Sequence, residues 1–130
     1  MPKMLYTAEV WCNPIHNPTP GKKKKRGSIA FATKLARVQR TSTTFITGAI
    51  RATSTVALDA HAGVLPMHIA INKICLRAAL CFTTLPRNHP LHPYICRAVK
   101  ICPKKFPSPF HHTMDAFKID PDTTETILPV

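Results

Sequence analysis

Thirteen prolines in 130 residues are about twice the usual share of roughly 5%, and their placement limits where this chain can hold regular structure. Pro14, Pro18 and Pro20 crowd one end, and the stretch from Pro86 to Pro109 crowds the other. Each proline fixes its own φ and lacks an N–H, so helices are confined mostly to the segment between the clusters. That segment is about 60 residues, a size at which burial alone gives marginal stability. Apolar residues make up 45% of the chain, enough for a modest core. The expected fold is mostly α: a small irregular helical domain of three to five short helices, with Pro-rich, partly disordered loops and tails.

Four segments follow from the punctuation. Residues 1–12 form an aromatic N-terminal segment, where Tyr6 and Trp11 read as anchors or core aromatics. Residues 13–27 contain three prolines, two glycines and five consecutive cations, the composition of a flexible basic loop. Residues 28–100 are predicted to be a helical connector domain, and residues 101–130 a Pro-rich, acidic C-terminal tail with one short helix. Within the connector, Ser28 offers an N-cap for a helix to about Thr47, with Phe31, Leu35, Val38, Phe45 and Ile46 as its apolar face. Thr53, Ser54 and Thr55 supply capping hydroxyls for a short helix, with Asp59 near its middle and Gly63 as its stop. Pro66 opens a third helix that buries Met67, Ile71, Ile74, Cys75, Ala78 and Phe82. A fourth starts near Pro93 and uses Ile95, Ala98 and Val99; a fifth covers residues 108–117, capped by Ser108.

Charge is distributed unevenly. Residues 1–110 hold 17 Lys/Arg against Glu9 and Asp59, a net of +15, whereas residues 111–130 hold one Lys against four acids, a net of −3. A basic body suits a polyanionic partner, because every neutralised phosphate releases counterions. Lys22, Lys23, Lys24, Lys25 and Arg26 read as a phosphate-contacting arm, a nuclear-import signal or a solubilising loop. Lys34, Arg37 and Arg40 recur every three residues, with Arg51 beyond the turn, and read either as a backbone-following face or as the solvated side of an amphipathic helix. Phe31 and Phe45 fall on the predicted apolar side, so base stacking is not expected.

Catalytic and metal chemistry lack a constellation. The five cysteines are odd in number and no secretory signal precedes them, which suits free thiols in a reducing compartment. Cys75 and Cys81, His89 and His92, and Cys96 and Cys102 are the pairs from which zinc ligation would be built. The two cysteine pairs, each with five residues between, lack the tight Cys spacing of structural zinc sites, and Cys75 and Cys81 diverge on a helix, so neither metal nor cofactor is expected. His111 and His112 beside Asp115 invite acid–base chemistry, but no nucleophile pair accompanies them, and Ser108 reads as a cap. No apolar run approaches the roughly 18 residues of a membrane span. The chain is expected to be no enzyme, to take no small-molecule substrate, and to act inside the cell, with the nucleus as one destination.

Three stretches, in this order, carry a resemblance: YTAEVWCNPIHNP, LARVQRTSTTFITGAIRATSTVALDAHAGVLPMHIAINKICLRAAL and SPFHHTMDAFKIDPDTTETILPV. Together they resemble the connector between the reverse-transcriptase and RNase H domains in polyproteins of LINE-type (non-LTR) retrotransposons. The resemblance implies a truncated piece of such a polyprotein, a thumb-like or linking part that touches template and primer backbone. It carries over no catalytic residue. The polymerase of that family uses paired aspartates, and this chain has no adjacent pair; RNase H uses four carboxylates, and the acids here show neither that spacing nor a strand context. Two functions follow: weak, sequence-independent binding to RNA or DNA backbone, or a helical interaction module that packs on the reverse-transcriptase core without binding nucleic acid itself.

Overall fold

The structure, a computed structural model, describes residues 12–14, 26–101 and 106–126. The predicted roles of Tyr6, Trp11 and Lys22 to Lys25 lie outside the described residues. The described residues are mostly helical and contain five helices: α1 Arg26–Thr47, α2 Thr55–His61, α3 Met67–Thr83, α4 His92–Lys100 and α5 Pro109–Phe117.

Helix α3 is the hub. Its first half packs on α1, and its second half packs on α4 and α5. One core cluster joins Ala32 of α1 to Met67, Ile71 and Cys75 of α3, with Cys12 inserted from the N-terminal side. A second joins Ala79 of α3 to Ile95 of α4 and Met114 of α5, with Phe82, Val99 and Phe110 around it. Phe82 and Phe110 meet edge to face, ring centroids 5.3 Å apart. Phe117 packs against both clusters and joins them. Helix α5, placed by sequence in an acidic tail, is thus part of the core.

Helix α1 departs from its predicted start and face. It begins at Arg26, two residues before the expected cap, and the Ser28 hydroxyl instead accepts a hydrogen bond from the Asn13 N–H at 2.8 Å. Its buried positions are Ala32, Gln39 and Thr43, while Val38, Phe45 and Ile46 are exposed. The hydroxyl-rich run from Thr41 to Thr47 is a poor helix former by propensity, because such side chains compete for backbone partners. Here the competition is resolved within the helix: Thr41, Ser42, Thr43, Thr44 and Thr47 each donate to the carbonyl four residues earlier. With its own polar atoms satisfied, Thr43 can enter the interior.

Helix α2 ends as expected. Gly63 adopts φ +62°, its N–H bonds to the Ala60 carbonyl, and the Val64 N–H reaches back to the Asp59 carbonyl at 2.9 Å. That pair of bonds is a Schellman motif, which needs a left-handed residue at Gly63. The cap expected of Ser54 is not made by its side chain, nor is that of Ser108 at the start of α5. Ser108 Oγ and His111 Nδ1 share a 2.6 Å hydrogen bond instead. In the tail the Asp120 carboxylate accepts the Asp122 N–H at 3.0 Å, closing a turn at Asp120-Pro121.

Candidate nucleic-acid interface

Between Glu9 and Asp59 the sequence contains no acid, so α1 and the loop after it carry cations and no anionic side chain of their own. Asp59 does not supply one from across the fold. It is 6% exposed, and its Oδ1 accepts from Gln39 Nε2 at 2.9 Å; the same nitrogen donates to the Leu65 carbonyl at 3.0 Å. Gln39 therefore locks α1 to α2 and to the chain entering α3. The one ion pair among the described residues, Lys100 with Asp122 at 3.4 Å, lies on α4 and the C-terminal turn.

The predicted basic residues separate into different roles. Lys34 and Arg37 are exposed on α1. Three-residue steps on a helix fall about 60° short of a full turn, so Lys34, Arg37 and Arg40 wind over roughly a third of the circumference. Arg40 ends beside the buried face. Its guanidinium donates to Thr55 Oγ1, to the Arg51 carbonyl at 3.1 Å and to the Thr53 carbonyl at 3.2 Å. Arg40 is thereby a clamp on the loop between α1 and α2, a task its place in a regular stripe does not reveal. Arg51 is exposed, and its backbone is held by that clamp. Arg26 opens α1, but its side chain lies outside the described residues.

Arg40 and Arg51 come together at the C-terminal end of α1, where they line an open hollow of about 630 Å³ with Thr41, Thr44, Phe45 and Gly48. Phe45 is 83% exposed, contrary to the expectation that it packs inward. The cause is rotational. Thr43 is buried, and a residue two positions later points about 200° away from it. The sequence signal for Phe45 was therefore the placement of Gln39 and Thr43, which read as surface polar residues. Gly48, at φ +64°, ends the helix and turns the chain past the hollow toward Arg51.

A second hollow, of about 530 Å³, lies between α4 and α5 and is almost wholly apolar, with Tyr94, Ile95, Ala98, Ile101 and Phe110 along it. His111 borders it and is tied to Ser108, and Asp115 on the same helix is exposed.

The thiols are free at Cys12, Cys81 and Cys96, and Cys75 Sγ donates to the Cys12 carbonyl at 3.9 Å. Cys75 is buried and Cys81 exposed, as their divergence on one helix requires. Cys96 Sγ lies 3.6 Å from His92 Nδ1, one turn earlier on α4, a contact the sequence reading did not single out. Among the described residues no three His, Cys, Asp or Glu side chains gather as a metal site. Burial pushes the Cys12 thiol above its ordinary range, and its hydrogen bond with the Ser28 side chain opposes this in part. No helix among the described residues is long and apolar enough to cross a membrane. Comparison of the chain with known protein families, curated proteins and solved structures returns no match.

Proposed function

We propose that this chain is a non-catalytic connector of the LINE-type reverse-transcriptase polyprotein kind, and that it binds RNA or DNA backbone weakly and without sequence preference. The supporting observation is the set of exposed cations on α1 and its following loop: Lys34, Arg37 and Arg51 are exposed, and no acid lies between Glu9 and Asp59 in the sequence. Phosphates take such cations at any sequence, since backbone contacts position a protein without reading bases. Lys22 to Arg26 immediately precede Gly27 and Ser28 in sequence and add five cations to the chain's basic complement, and the same run would serve import into the nucleus. Arg40 contributes indirectly, by holding the loop that presents Arg51.

The test is fluorescence anisotropy of the chain against labelled single-stranded and duplex DNA across a salt series. Binding is expected to fall log-linearly with salt, and Lys34→Glu with Arg37→Glu should weaken it while shallowing the slope by about 0.9 per lost duplex contact. Affinity unchanged by these reversals, or no binding at low salt, defeats the reading.

A second reading is a helical module that packs on a polymerase core. Part of the apolar surface of α1 and α3 is covered where the two helices pack on each other, at Ala32, Met67, Ile71 and Cys75. What favours this reading instead is the exposed apolar group Phe45, Ile46, Ile50 and Val56 around the junction of α1 and α2.

A further inference from the structure

We propose that the hollow at the C-terminal end of α1 holds one unpaired base of a single-stranded nucleic acid, stacked on Phe45, with the adjoining phosphate on Arg51. This rests on the nucleic-acid reading above and names the form of polymer that the site selects.

Four observations converge on it. Phe45 presents an aromatic ring at 83% exposure, although burial would be favourable for so large an apolar side chain. The ring shares its hollow with two arginines, and the chain as a whole carries +12. At about 630 Å³ the hollow lies within the roughly 300–1,000 Å³ typical of ligand sites. Its frame is also held: Arg40 ties together Thr55 and the carbonyls of Arg51 and Thr53, so the loop that brings Arg51 to the hollow does not depend on a ligand to form.

The chemistry discriminates between occupants. An aromatic platform beside a cation is how sequence-tolerant single-strand sites are built, because every base has a π-face. A duplex hides those faces within its stack, so it can use Lys34, Arg37 and Arg51 but not Phe45. An apolar protein surface would cover Phe45 but would leave the Arg51 charge without a partner. Thr41 and Thr44 already donate their hydroxyl hydrogens to the carbonyls of Arg37 and Arg40, so they offer acceptor lone pairs to a base edge and give the site no strong sequence preference.

The experiment uses the full chain with a labelled oligo-thymidine strand and a labelled duplex of equal length. Phe45→Ala should weaken single-strand binding by about tenfold, leave duplex binding within twofold, and leave the salt slope unchanged, since stacking releases no counterions. Phe45→Trp should restore the single-strand affinity. Circular dichroism matched to the parent chain confirms that an exposed residue was removed without unfolding. Single-strand affinity unaltered by Phe45→Ala, while Lys34→Glu and Arg37→Glu still weaken both polymers, overturns the stacking site and spares the backbone reading. Equal losses on both polymers also overturn it, and absence of binding to either overturns both proposals.

Discussion

At the scale of single residues, the most consequential contact joins Gln39 to Asp59. Both are buried, and the Gln39 amide nitrogen is the side-chain donor that reaches the carboxylate. Its amide oxygen is buried with no partner among the described residues, so the contact is retained despite an uncompensated polar atom. Gln39→Ala strands a buried carboxylate and should cost about 2–3 kcal/mol, read from the urea midpoint. Cys12 is expected to impose a pH dependence. Its thiol is held in the neutral form by burial, so the unfolded chain ionises first as pH rises. Stability from this group is full below the ordinary thiol value of about 8.5 and declines above it, toward the raised native value. A urea midpoint measured from pH 7 to pH 10 should fall less steeply in Cys12→Ala. Neither effect is readable from sequence. Gln39 and Asp59 look like surface residues 20 positions apart, and only the turn between α1 and α2 brings them together.

At the scale of elements, punctuation proved legible and rotation did not. Gly48, Gly63, Pro66 and Pro109 mark helix ends because a left-handed φ or a missing N–H suits few other positions, and α2 to α5 fall near where they indicate. The buried face of α3 is legible in its first half, where Met67, Ile71 and Cys75 repeat at four-residue intervals and are all inside; beyond it the same interval continues to Ala79 and Thr83, while the expected Ile74, Ala78 and Phe82 are half-buried. Ile71, wholly buried in the hub, should lose about 3 kcal/mol of stability on replacement by Ala. In helix α1 hydrophobicity does not mark the inner face, which holds Ala32, Gln39 and Thr43. The hydroxyls of its second half bond to their own helix, which lets Thr43 turn inward and sends Phe45 and Ile46 outward. The candidate interface was accordingly half visible. Its charges stood out, but the aromatic ring among them was hidden by the wrong rotational phase, and Arg40 by a structural task that depends on the fold of the next loop.

At the scale of the whole molecule, two modest clusters share one long helix, and α1 presents a cationic surface at one side of them. Replacing Lys73 and Arg77 by Gln on α3 gives a control for non-specific charge: both are exposed, yet neither lines the hollow of Phe45 and Arg51. Their loss is expected to weaken single-strand and duplex binding alike, without altering the ratio between them. Phe117 is the ring that both clusters share. Such a shared contact makes the two halves melt as one, because neither can open without exposing a face that the other covers. Without it, hydrogen exchange would record two separate openings: a fast one for the amides of α4 and α5, and a slow one for the seam where α1 meets α3. In Phe117→Ala the domain would then behave as a protected helical pair carrying a breathing C-terminal flap.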